Sequence, residues 1–112
     1  MHFLFESLLE LSAAPTNLKV TVISGYVLNA SWTGIPRDEW NGWLARYDIC
    51  STKKKIVCDE GRKESTSSSS TYFEIKKLTP HTTYTIAVRA VNDAGEGPWS
   101  TAVKQTTPEE RE

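Results

Sequence analysis

Short runs in which every second residue is apolar, each closed by a turn signal, constrain this chain more than any other feature. Asn17–Ile23 (NLKVTVI) alternates with Leu18, Val20 and Val22 on one face. After the Ser24-Gly25 turn signal, Tyr26–Thr33 (YVLNASWT) alternates again with Leu28, Ala30 and Trp32 pointing one way. A period of two belongs to the half-buried β-strand, where successive side chains leave opposite faces. Gly34–Gly42 (GIPRDEWNG) is a polar connection carrying Pro and Gly. Trp43–Thr52 then places Ala45, Tyr47 and Ile49 on one face and Arg46, Asp48 and Cys50 on the other. Lys55–Asp59 supplies a short hairpin partner, and the Ser-rich Glu60–Ser70 (EGRKESTSSSS) reads as a mobile loop. Thr71–Lys77 sets Tyr72 against Phe73 and Ile75, and Thr83–Val91 puts Tyr84, Ile86, Val88 and Ala90 on one face. Thr101–Thr106 is the last strand. Nothing between these runs carries a 3.6-residue apolar period.

Seven short strands at this spacing predict an all-β fold, a seven-stranded antiparallel β-sandwich of immunoglobulin-like type. Each of its two sheets turns one face inward. The predicted inward set is built on Leu18, Val20, Leu28, Ala30 and Trp32 from the first two strands, with Tyr47, Ile49 and Val57 from the middle. Phe73, Ile75, Leu78, Tyr84, Ile86, Val88 and Val103 complete it. With 112 residues the chain is the size of one domain, and four Trp, four Tyr and three Phe provide the bulk for its core. The net charge of −1 gives no drive toward nucleic acid or an anionic membrane. No apolar run approaches the ~20 residues of a membrane span, so no direct membrane insertion is expected.

The stretch LTPHTTYTIAVRAVNDAGEGPWS (residues 78–100) shows how the chain crosses between sheets. Leu78 anchors the entry in the core, and Pro80 stops the corner from continuing as strand. Tyr84 is predicted to bury its ring and return its hydroxyl to a backbone group at the corner. The following NDAGEGP builds an irregular loop whose glycines permit positive φ.

These segments, together with AAPTNLKV, LNASW, NGWLARYDI and the closing T-T-P, resemble a fibronectin type III domain over about residues 13–107. Trp32 matches the family's core tryptophan and Tyr47 its aromatic on the third strand. Leu78, Pro80, Thr82 and Tyr84 match its L-x-P-x-T-x-Y corner. The W-N-G at Trp40, Asn41 and Gly42 is similar to repeats of neural adhesion molecules and receptor-type tyrosine phosphatases. The resemblance divides the chain into residues 1–12, an N-terminal leader or extra segment, the domain at 13–107, and a linker or tail at 108–112.

The leader MHFLFESLLELS has apolar content but no basic n-region, and Glu6 and Glu10 interrupt its apolar stretch. An expression-derived or exon-edge leader, an amphipathic helix over an apolar patch and a truncated signal peptide all fit. Self-association through Phe3, Phe5 and Leu8 is a further option.

Cys50 and Cys58 carry the most information among chemically reactive residues. A third strand folding back through a loop centred on Lys54 sets them directly opposite each other on the outer face, with Val57 inward. A cross-strand disulfide is feasible there and implies an oxidising compartment. Two separate reduced thiols are the alternative. Asn29-Ala30-Ser31 is a glycosylation sequon on the solvent side of its strand, or else an unmodified surface Asn. Lys53, Lys54 and Lys55 crowd one hairpin tip, with Arg62, Lys63, Lys76 and Lys77 in reach. Such an edge holds a sulfated glycan or an acidic partner, or simply blocks sheet-to-sheet aggregation. Trp99-Ser100 is half of a W-S-x-W-S box, without its second half, and fits ordinary packing over the last strand. Trp40 and Trp43 flank a loop, where one serves as a contact or both cover the core. Asn92, Asp93 and Glu96 form the other candidate contact loop.

No catalytic constellation is present. His81 has no carboxylate orienter, His2 lies in the leader, and no metal-type Cys/His spacing or phosphate-binding loop occurs. The resemblance therefore implies a non-catalytic spacer and protein-interaction module, without cofactor or metal. It would sit in the extracellular part of a cell-surface or secreted protein whose parent is a single-pass receptor or adhesion molecule. Its partners would be proteins, neighbouring repeats of the same chain included. An intracellular sarcomere-type spacer and an accessory module of a secreted carbohydrate-active enzyme are the alternatives.

Overall fold

The computed structural model describes residues 11, 13–54, 58 and 61–110. Along the chain its strands are β1 (Thr16–Val22), β2 (Leu28–Thr33), β3 (Leu44–Thr52) and β4 (Arg62–Ser67). β5 (Tyr72–Ile75), β6 (Thr83–Asn92), β7 (Gly95–Glu96) and β8 (Val103–Thr106) follow, and one 3-10 turn at Arg37–Glu39 lies between β2 and β3. The smaller sheet has the order β1-β2-β5, and the larger runs β4-β3-β6, with β7 and β8 sharing the far edge of β6. All pairings are antiparallel. The fold is the expected sandwich with one further two-residue strand.

Alternation places the core as the sequence demands. Leu28, Ala30 and Trp32 of β2 and Ile75 of β5 face Tyr47 and Ile49 of β3 and Tyr84, Ile86, Val88 and Ala90 of β6, all buried. The Trp32 and Tyr47 rings meet edge to face with centroids 5.5 Å apart, a geometry that suits their quadrupoles. Leu18, Phe73 and Val103 are only partly buried against this cluster. Val22, at the open end of β1, is 43% exposed.

Several readings are overturned. The partner of β3 is Arg62–Ser67, not Lys55–Asp59, and the supposed mobile loop Glu60–Ser70 supplies this strand. An edge strand needs backbone pairing rather than apolar side chains, and here only Glu64 and Thr66 are half-buried. Consequently Cys50 opposes Lys63 and Ala87, while Cys58 lies in a turn ahead of β4 rather than across a hairpin. Lys55, Val57, Asp59 and Glu60 lie outside the described residues.

In β3, Leu44 pairs with Asn92 and Arg46 with Val91, so an extra residue bulges between them. The bulge turns Leu44 inward and leaves Ala45 exposed, reversing the predicted phase at the start of that strand. The last strand starts at Val103, later than expected. Ahead of it the chain is stitched to β6 by Gly97 N–H to Ala90 O (2.8 Å), Ser100 N–H to Val88 O (2.7 Å) and Val88 N–H to Ser100 Oγ (3.0 Å). Leu11, read as part of the leader, is buried in the core. A Cβ at Gly97 would come within 3.0 Å of the Leu11 Cβ and 3.1 Å of Ala90 O, so a side chain there would have to push these neighbours back by a few tenths of an ångström. The remaining leader residues, His2, Phe3, Phe5 and Leu8 among them, lie outside the described residues.

Candidate functional site

At one end of the sandwich the corner closes as its sequence implies. Thr79 N–H donates to the Tyr84 hydroxyl at 2.8 Å, and Thr107 Oγ1 donates to Thr79 O at 2.7 Å and accepts from Thr82 N–H at 3.0 Å. His81 takes a left-handed backbone (φ 54°) to make the bend. The residues read as a tail return to this end. Pro108 O accepts from His81 N–H (3.2 Å), and the Glu110 carboxylate accepts from Gly25 N–H (3.2 Å).

At the other end, the β2–β3 connection and the β6–β7 turn are tied together. The Asn92 side-chain amide donates to Trp40 O (3.1 Å) and Asn41 O (3.3 Å), while its oxygen accepts from Ala94 N–H and Gly95 N–H. Asn92 was expected as a contact residue. It is instead buried, because its short amide satisfies backbone groups of both loops. Asp93 Oδ1 accepts from Trp43 N–H at 3.3 Å. The two tryptophans differ in burial. Trp40 packs on the core, donates its indole N–H to Ile35 O (2.9 Å) and lies under the Arg37 guanidinium. Trp43 is 70% exposed, with its backbone N–H held by Asp93. The Ile35 N–H in turn donates to the Tyr47 hydroxyl (3.2 Å). Burial pushes the Tyr47 phenol above its ordinary pKa, against a smaller opposite effect of that hydrogen bond.

The outer face of the larger sheet is where sequence reasoning missed most. Asp48 is buried and accepts from Arg46 Nε (2.8 Å), Ser65 Oγ (2.8 Å) and Arg89 Nε (3.0 Å). Burial raises the pKa of this carboxyl, yet the hydrogen bonds from Arg46, Ser65 and Arg89 and the Arg46 charge together hold it below the ordinary value. Arg89 also reaches the exposed Glu96 at 2.9 Å, and its guanidinium stacks 4.4 Å from the Trp99 ring centroid. Trp99 therefore covers β6 rather than the last strand, over a second small cluster of Cys50, Cys58 and Ala87. Cys50 and Cys58 form a disulfide with Cα atoms 5.6 Å apart. One signal for this layer was present in the sequence: Asp48, Cys50, Ala87 and Arg89 share the outward phase of two strands that a hairpin-rich sandwich sets side by side.

Lys53 and Lys54 are exposed at the end of β3, and Lys55 lies outside the described residues. Asn29 is half-buried on β2, opposite Thr21 and Glu74. Among the described residues no group of His, Cys, Asp and Glu is placed to hold a metal ion, and no helix is long and apolar enough to cross a membrane.

Residues 13–106 match the profile of the Fibronectin type III domain. Human contactin-2 is 34% identical over 97 residues, covering 84% of this chain and 9% of its own length. Chicken protein sidekick-1 is 33% identical over 87 residues (78% and 4%), and the Drosophila melanogaster cell adhesion molecule Dscam1 is 28% identical over 109 residues (88% and 5%). The chain thus spans a small fraction of each of these relatives. Among solved structures, the third fibronectin III domain of the human KIAA0343 protein superposes with a TM-score of 0.81 at 27% identity, covering 93% of this chain and 88% of that one. The fn3 domain of human contactin 1 gives 0.79 at 25% identity, covering 90% and 82%.

Proposed function

The chain belongs to the fibronectin type III family, and we propose that it serves as a non-catalytic module of a larger cell-surface receptor or adhesion protein. The similarity to modules of adhesion proteins carries this reading, since the chain matches less than a tenth of contactin-2, sidekick-1 and Dscam1. The oxidised Cys50–Cys58 pair supports an extracellular setting. Residues 13–107 act as the module, with Leu11 of the preceding segment 1–12 and Pro108 and Glu110 of the linker 108–112 packed onto it. The sandwich is the rigid spacer, and its loop end presents the contact surface. Trp43 is the anchor of that surface, with Asp93 beside it, because a large aromatic on a pinned backbone loses little entropy on binding. Asn29 carries an N-glycan in the native setting.

The test is the intact mass of the chain secreted from a eukaryotic host, before and after reduction with alkylation. The expected result is a disulfide-bonded species carrying glycan at Asn29. Two free thiols and an unmodified Asn29 would overturn the extracellular reading.

A further inference from the structure

We propose that the cleft beside the Tyr84 corner binds the sulfate groups of a sulfated glycosaminoglycan. The cleft encloses about 400 Å³, and Lys53, Lys54, Arg62 and Lys77 all line it. That volume is in the range of small-ligand sites. The four cations come from three separate places: the β3–β4 connection, the first residue of β4 and the β5–β6 corner. Only the fold brings them together.

Three ties hold the described part of one wall. Lys54 N–H donates to Thr52 Oγ1 (3.1 Å), the disulfide ties Cys58 to β3, and Gly61 N–H donates to Cys58 O (3.3 Å). Lys77 holds a left-handed backbone, φ 61°, which a side-chain-bearing residue adopts at a cost. The lining also includes the hydroxyl-bearing residues Ser51, Thr52, Thr79 and Tyr84, of which Thr79 is exposed. No carboxylate belongs to the described lining. Arg62 does reach Glu64 at 3.1 Å, on β4 outside the cleft.

Cationic residues and hydroxyl-bearing residues lining one cleft suit sulfate oxygens. Four cations around one cleft fit a ligand bearing several charges. The aromatic in the lining, Tyr84, is buried, so no exposed ring offers a base a stacking surface as single-stranded nucleic acid requires. The site is concave and its one aliphatic wall, Leu78, is also buried, which disfavours a lipid surface. The extracellular relevance of this ligand rests on the reading above, but the binding itself belongs to this chain alone. A reduced, unglycosylated chain that binds would sink the first reading and leave this one standing.

The experiment titrates the isotope-labelled chain with a heparin-derived hexasaccharide and follows amide shifts at about 0.15 M salt, where surface charges are screened beyond about 8 Å. Shifts should gather at residues 51–54, 61–62 and 77–79. The triple variant Lys53→Gln, Arg62→Gln, Lys77→Gln should bind at least about tenfold more weakly, while Lys19→Gln with Lys104→Gln should stay within about twofold. Equal binding of a desulfated hexasaccharide, shifts centred elsewhere, or equal loss in the control variant would overturn the proposal. So would binding to anionic phospholipid vesicles or an oligonucleotide without binding to the saccharide. Shift mapping on the unmodified chain decides the matter even if the triple variant does not fold.

Discussion

The two faces of the larger sheet are buried by different chemistry. Inward, β3 and β6 present Tyr47, Ile49, Ile86, Val88 and Ala90 to the facing sheet. Outward, the same strands present Asp48, Cys50, Ala87 and Arg89, which are just as inaccessible. The inner face excludes water chiefly by apolar packing, with the Tyr47 and Tyr84 hydroxyls returned to backbone groups at its ends. The outer face does so with an ion-pair network, an Arg–Trp stack and a disulfide. A sheet of this kind has one surface that specifies a shared fold and another made of individual residues that must find one another.

The largest test of the contrast is on the inner face. Trp32→Ala should destabilise the fold by roughly 3–5 kcal/mol in urea denaturation, since it removes the ring that meets Tyr47. On the outer face, Asp48→Asn should cost about 2–4 kcal/mol at neutral pH, because it removes the buried partner of Arg89, which is 9% exposed, and leaves it only the exposed Glu96 as a carboxylate partner. The pH dependence separates the two faces further. The folded Asp48 carboxyl ionises below its ordinary value of 3.8, so its stabilisation is fully present above that pH and is lost as pH falls through the folded value. Stability of the unmodified chain should drop in acid below about pH 4, and that of Asp48→Asn should drop less. Replacing both cysteines with Ala should cost about 2–3 kcal/mol, seen as a lower urea midpoint, because the bond spans eight residues of sequence. Trp43→Ala should change stability by less than about 0.5 kcal/mol in calorimetry, because its ring is exposed.

The contrast also explains how much of the molecule was legible in the sequence. Leu28, Ala30 and Trp32, or Tyr84, Ile86 and Val88, announce a face by period alone, and Pro80 with Tyr84 announces the corner. β4 was not legible because Arg62–Ser67 has no apolar phase, and an edge strand asks only for backbone pairing. Leu44 was mis-phased because a bulge is set by register with β6, which the strand's own sequence does not record. The outer layer was half legible. The cysteine pairing was read from a hairpin register that the structure does not keep, although the two sulfurs do meet, and the burial of Asp48 depends on Arg89, some forty residues away, and on Ser65 in the unrecognised strand. At the loop end, the exposure of Trp43 and the burial of Asn92 depend on two loops meeting, which neither loop shows alone.

The most direct measurement is a double-mutant cycle between Asp48→Asn and Arg89→Gln, with each free energy taken from urea denaturation at neutral pH. If the outer face is an integrated buried layer, the two changes should couple by at least about 1 kcal/mol, the double variant being less destabilised than the sum of the singles. Additivity to within about 0.3–0.5 kcal/mol would mean that the outer network is surface decoration and that the sheet is held from its inner face alone.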